Sequence, residues 1–92
     1  MEIVWSKTSL ETFFKVVDYL FEHWTLTEIE SFEKNVDDLL EKISVNIELC
    51  PQSKIFGYRK CIIDNQNALV YSIINNKISL VTFIDTRSQS IY

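Results

Sequence analysis

The sequence predicts an α+β domain of order β-α-α-β-β-β: an N-terminal strand, an antiparallel helical hairpin and a three-stranded antiparallel sheet. Three observations predict it. Two apolar stripes at helical spacing fill residues 8–43, with a connection of only a few residues between them. Residues 58–84 then read as three extended runs separated by Asp/Asn-rich turns. With 92 residues, 47% hydrophobic and 13% aromatic, the chain suffices for one packed domain over 1–92 and not for two.

Glu2-Ile3-Val4-Trp5-Ser6 opens as a strand because β-branched and aromatic residues fit a pleated surface. Thr8 with Glu11 three residues later has the pattern of a helix-opening capping box. Leu10, Phe13, Phe14, Val17, Leu20, Phe21 and Trp24 then recur on one face, and the helix should stop near His23-Trp24. Thr25-Leu26-Thr27 is the connection, and Thr27 with Glu30 repeats the capping pattern. Ile29, Phe32, Val36, Leu39, Leu40 and Ile43 form the second stripe, and the short link requires antiparallel packing.

Residues 45–57, punctuated by Pro51 and Gly57, read as a loop. Strands follow at 58–63, 68–74 and 77–84. Asn75-Asn76 signals a tight turn, since Asn tolerates positive φ. In the last strand Ile78, Leu80, Thr82 and Ile84 alternate with Ser79, Val81, Phe83 and Asp85. Both sets contain apolar residues, which predicts a central strand covered on both faces.

Charge is asymmetric. Residues 1–50 hold eleven acids against four bases, a balance of −7. Residues 51–92 hold two acids against five bases, a balance of +3. The acidic residues read first as the solvated faces of the helices, and an anionic partner is confined to the C-terminal half. The longest apolar runs are far below the roughly 20 residues of a membrane span, and the N-terminus lacks the charge pattern of a secretory leader. The expected location is the cytoplasm, with no membrane contact. Cys50 and Cys61 are then expected as reduced thiols, Cys61 as a small core residue, although the sequence leaves a bridge between them open.

Several chemistries are absent. His23 is the only histidine, so a nucleophilic triad would depend on it; beside a helix end it reads instead as a charge complementing the last carbonyls. No zinc-ligand spacing and no glycine-rich phosphate loop occurs, so no metal and no cofactor is expected. Asp37 and Asp38 diverge on a helix surface and read as solvated.

The conjunction of local signatures resembles the RelE/ParE toxin superfamily of type II toxin–antitoxin (plasmid stabilisation) modules, and the resemblance spans nearly the whole chain. Ile3-Val4-Trp5-Ser6 looks like the family's opening strand, and Tyr19-Leu20 with Glu22-His23-Trp24-Thr25 like the end of its first helix. Cys50-Pro51 sits where many members carry a proline. Leu69-Val70-Tyr71-Ser72-Ile73 resembles the middle strand, and Phe83-Ile84-Asp85-Thr86-Arg87 the last strand with its Asp-Thr-Arg ending. The resemblance implies a toxin that inhibits bacterial growth and is neutralised by a cognate antitoxin. RelE-like members cut messenger RNA on the ribosome with basic side chains and a C-terminal tyrosine; ParE-like members poison DNA gyrase. Matched residue by residue, the RelE-like set corresponds here to Arg59, Arg87 and Tyr92, with Arg59 and Arg87 expected together at the far end of the sheet, whereas Cys61 and Ala68 stand where such members carry a lysine and an arginine. Two lost cations and a pI near 4.8 argue against strong binding to ribosomal RNA. The resemblance is therefore read as ParE-like, with gyrase as the expected target. The alternatives are a RelE-like endonuclease and an inactive member that only binds its antitoxin. The surplus of aromatics places Phe13, Trp24 and Phe32, with Lys60, as candidate binding residues for an antitoxin segment that lies in a groove between hairpin and sheet or adds an edge strand.

Overall fold

The computed structural model describes residues 1–92. Its elements are β1 (Ile3–Trp5), α1 (Lys7–His23), α2 (Leu26–Val45), β2 (Tyr58–Ile62), β3 (Asn67–Ile74) and β4 (Lys77–Asp85). The element order matches the sequence reading. The sheet differs by one strand: it has four, in the order β1-β4-β3-β2, and β1 runs parallel to β4 while the other pairs are antiparallel. A parallel pair needs a long crossover, and the helical hairpin is that crossover. β4 is central, as its two apolar faces predict.

Both helices begin earlier than the capping patterns suggested. Ser6 caps α1: its Oγ accepts from the Ser9 amide at 3.0 Å and donates to the Val81 carbonyl at 3.1 Å. One hydroxyl thus closes a helix end and ties it to the sheet, which Thr8 is not placed to do. At α2 the capping pair is Thr25 and Glu28, not Thr27 and Glu30; the Thr25 amide donates to the Glu28 carboxylate at 3.1 Å. Only Trp24 and Thr25 separate the helices.

The alternation expected in β4 is broken by a bulge. Val70 pairs with Thr82 but Tyr71 pairs with Leu80, so Val81 is an extra residue. Phe83 therefore joins Ile78 and Leu80 on the helix side, and Thr82 and Ile84 move to the other face. The cause lies at the neighbouring edge. β1 ends at Trp5 opposite Leu80, so from Val81 onward β4 has no strand beside it. Helix α1 supplies the missing partners: the Ser6 hydroxyl for the Val81 carbonyl, and Thr12 Oγ1, which accepts from the Phe83 amide at 2.9 Å while donating to the Thr8 carbonyl at 2.7 Å. Thr12→Val keeps the shape and orphans that amide. We expect a loss of about 1–3 kcal/mol in urea unfolding; an unchanged midpoint would show that the amide finds another acceptor.

The core lies between the hairpin and the sheet. Phe32, Val36 and Ile43 of α2 face Leu69, Tyr71 and Leu80, all 2% exposed or less. At its N-terminal end Trp5, Phe13, Phe32 and Phe83 form an aromatic cluster, with ring centroids 5.4–6.4 Å apart. Asn75 and Asn76 take φ of 51° and 62°, making the tight β3–β4 turn expected of them.

Residues 45–57 are more ordered than a loop. Lys60 N donates to Pro51 O (3.0 Å) and Ser53 N to Tyr58 O (2.8 Å), with Gln52 bridged to Arg59. This ladder extends β2 into a hairpin whose turn uses Gly57 at φ 87°. Continued by one pair, the register sets Cys50 opposite Cys61, and the two are joined in a disulfide with a Cα–Cα distance of 5.3 Å. The expectation of two reduced thiols is thereby corrected. The two residues are cross-strand neighbours, a relation that depends on hairpin register.

Candidate functional site

Arg59 lies on β2, on the same sheet face as Cys61 and Tyr71, and turns inward to the helix side. Its Nη1 donates to the Cys50 carbonyl at 2.6 Å. It lines a small cavity of about 180 Å3 with Gln52, Tyr58 and Ser72. Ser72 Oγ is buried there without a hydrogen-bond partner. Beside this cavity Tyr71 donates its hydroxyl to the Ile47 carbonyl at 2.8 Å, and burial pushes its phenol above the ordinary value of 10.0. Tyr71 is thus a fixed structural donor.

The last residues return from β4 to the start of β2. Lys54 N donates to the Tyr92 carbonyl at 3.0 Å, and the Tyr92 ring lies 6.0 Å from that of Tyr58. Tyr58 points to the sheet face away from the helices, opposite to its neighbour Arg59. Lys60, half-buried, pairs with Val70 on that same outer face.

Arg87 sits elsewhere, beyond the far end of β4. Its guanidinium donates to Asp85 twice, from Nε at 3.1 Å and Nη2 at 2.9 Å. These bonds hold the Asp85 carboxyl at about 2, against an ordinary 3.8. Because the folded value is depressed, the pairing is complete above 3.8 and is lost as pH falls through about 2. Carbon-detected NMR titration should place the Asp85 midpoint near 2, and Arg87→Ala should return it toward 3.8; an ordinary midpoint in the unmutated chain would refute the pairing.

Arg87 lines a cleft of about 300 Å3 with Lys15 and Tyr19 of α1, over an apolar floor of Val16, Leu20 and Phe83. A second cleft of about 300 Å3 continues past the α1–α2 connection, where Trp24, Glu28, Asn35 and Asp64 surround Phe32. The turn at 64–67 forms its other wall. Asp64 Oδ1 holds that turn by accepting from the amides of Gln66 (2.8 Å) and Asn67 (2.9 Å).

Arg59 and Arg87, expected side by side at one end of the sheet, lie in different cavities at opposite strand ends, which corrects that expectation, because the register carries β4 past the end of β2 before Arg87 is reached; each guanidinium already has an acceptor. Tyr92 lies at the Arg59 end. Of the candidate binding residues, Trp24 is half-exposed at the mouth of the second cleft. Phe32 is 2% exposed and Phe13 is half-buried in the aromatic cluster. Both rings pack in the space between Trp5 and Phe83, and Phe32 also forms part of the wall of the second cleft. His23 lies in the last turn of α1, its ring tilted at 39° to that of Tyr19 with centroids 4.5 Å apart. No cluster of three His, Cys, Asp or Glu side chains could hold a metal ion, and no helix is long and apolar enough to cross a membrane. Lys15 and Tyr19 are not among the site residues that the sequence suggests. Their one signal is i,i+4 spacing on the polar margin of α1.

No protein-family profile matches the sequence, and no curated relative does. Solved structures do match in shape. A dimeric YoeB from Staphylococcus aureus superposes with a TM-score of 0.64 at 21% identity, over 91% of this chain and 94% of that one. A YoeB/ParE toxin from Agrobacterium tumefaciens gives 0.67 at 12% identity, over 92% and 98%. The chain has the fold of these YoeB and YoeB/ParE proteins. The YoeB–YefM complex from S. aureus contains a third such match, with a TM-score of 0.62 at 21% identity over 91% and 94%. The match covers nearly the whole chain, from β1 to β4, with the two arginines placed at opposite ends of the sheet's strands.

Proposed function

We propose that the chain is the toxin half of a type II toxin–antitoxin pair, held inactive in the cytoplasm by a cognate antitoxin, and that it acts by binding DNA gyrase. Support for the pair is the fold, shared with a toxin solved in complex with its YefM antitoxin. Support for action by contact is the separation of the cations. Cleaving RNA through its own 2′-hydroxyl requires a base, an acid and phosphate-binding cations gathered around one phosphodiester. Arg59 is turned to the Cys50 carbonyl and Arg87 to Asp85, in different cavities, and Cys61 and Ala68 are buried and uncharged.

A RelE-like endonuclease is the second reading, favoured by one observation: the Tyr92 ring lies against Tyr58, the residue next to Arg59. Two assays separate the readings. In a purified supercoiling reaction the chain should inhibit gyrase, with activity restored by the antitoxin. In a reconstituted translation reaction the message should stay intact. Position-specific cuts lost in Arg59→Ala and Arg87→Ala, with gyrase untouched, would establish the endonuclease instead. If neither target responds while the antitoxin binds, the chain is an inactive member.

A further inference from the structure

Cys50 is clamped twice by β2. Its sulfur is bonded to Cys61, and its carbonyl accepts from Arg59 Nη1 at 2.6 Å. Arg59 and Cys61 stand two positions apart on that strand, so both clamps come from one face of it. The residue that can be oxidised or reduced is therefore the residue that occupies the guanidinium. Elsewhere the stretch from Ile47 to Ser53 is tied to the sheet by single hydrogen bonds: Tyr71 Oη to the Ile47 carbonyl, Lys60 N to the Pro51 carbonyl, and Ser53 N to the Tyr58 carbonyl. It lies along β2, an edge strand of the sheet.

We propose that the Cys50–Cys61 bridge is a redox gate on Arg59: closed, it holds the Cys50 carbonyl on the guanidinium; opened by a protein dithiol, it frees the guanidinium for an anionic group outside the chain. Exchange begins at Cys50, which is 8% exposed against 2% for Cys61. A thiolate of the dithiol attacks Cys50 Sγ and bonds to it, the Cys50–Cys61 bond breaks, and Cys61 leaves as a thiolate that takes up a proton. The second thiolate of the dithiol then attacks its neighbour's sulfur, which closes the dithiol's own disulfide and releases Cys50 as a thiol. The chain gains two electrons and two protons, and the dithiol loses the same. Both thiols still suit the core as small apolar groups. What is lost is the constraint on the segment, because the carbonyl then stays on Arg59 only as long as the single bonds hold. The cavity beside it offers a second hydroxyl, since Ser72 Oγ is buried there without a partner. In a reducing cytoplasm such bridges are transient and redox-sensing. That setting rests on the proposed function; the gate rests on the geometry alone.

Arg59 and Arg87 are the only arginines in the chain, so Arg87 serves as an internal reference. The whole chain, oxidised or reduced with the reductant then removed under nitrogen, is treated with phenylglyoxal below both melting transitions. Adducts at each arginine are counted by mass spectrometry. The Arg59-to-Arg87 ratio should rise about tenfold on reduction, as expected if half of the loop-closure constraint is felt locally. It should fall again on reoxidation. Cys50→Ser/Cys61→Ser, which has no thiol to react, should show the raised ratio under all conditions. An equal ratio in the two redox forms would overturn the gate. So would a rise accompanied by lost amide protection at Leu69 and Leu80, because Arg59 would then be freed by global unfolding. A bridge that a thioredoxin-class dithiol opens only in denaturant would overturn it as well. Labelling needs no cellular target, so a chain that leaves gyrase and message untouched defeats the proposed function while the gate is still decided.

Discussion

Phe83→Ala is expected to lower the thermal midpoint by roughly 15 °C or more. The ring is 4% exposed and meets Trp5, Phe13 and Phe32, so it joins β1, both helices and β4 at one point. Truncating a buried Phe removes about 3–5 kcal/mol through lost transfer energy and the cavity left behind. A small domain has only about 5–15 kcal/mol in total. Relaxation is limited here, because the Phe83 backbone is held by Thr12 and the bulge behind it sets the ring's face. Phe21→Ala is the matched control: that ring is 76% exposed, and its loss should change stability by no more than about 0.5 kcal/mol. Circular dichroism melts of the two variants decide the matter. Similar midpoints would mean that the aromatic cluster is not the stabilising centre assigned to it.

Reducing the Cys50–Cys61 bridge should be the second large effect. The bridge closes a loop of separation 11, and loop-closure entropy for that length is worth about 3 kcal/mol. The corresponding fall in midpoint is roughly 10–20 °C. Cys50→Ser/Cys61→Ser should reproduce the effect of a thiol reductant, and the reductant should then have no effect on the double variant. The loss should also be local before it is global. Amide exchange at Lys60 and Ser53, which make the two hairpin hydrogen bonds, should quicken in the reduced protein, while Leu69 and Leu80 in the central strands keep their protection. Two free thiols in the air-oxidised native protein would refute the bridge outright.

Much of the fold is legible in the sequence because its signals are periodic. The stripes from Leu10 to Trp24 and from Ile29 to Ile43 specify the paired helices, and Asn75-Asn76 specifies its turn by the backbone conformations Asn tolerates. What escapes depends on register between distant segments. Three short residues, Ile3 to Trp5, carry no mark of the strand they will join. Val81 gives no sign of the bulge it makes, since the cause is the end of β1 beside it. Cys50 and Cys61 become neighbours only once Pro51 and Ser53 have paired with Lys60 and Tyr58.

The candidate site was less legible for the same reason. Arg59 and Arg87 belong to different strand ends, and only the antiparallel register of β2, β3 and β4 separates them. Periodicity shows that Phe13 and Phe32 are apolar, but not that they face each other and Phe83 instead of a partner. Lys15 and Tyr19 acquire meaning from the turn at 64–67 that closes the groove opposite them. Nothing nearby in the chain announces it.

The parallel pairing of β1 with β4 also dictates an order of assembly during synthesis. The first strand translated can pair only with nearly the last, 75 residues later at Ile3 and Ile78. A nascent chain halted before Lys77 holds a helical hairpin with no sheet centre to rest on. Every chain halted there lacks the strand with which β1 pairs and to which α1 is tied through Ser6 and Thr12.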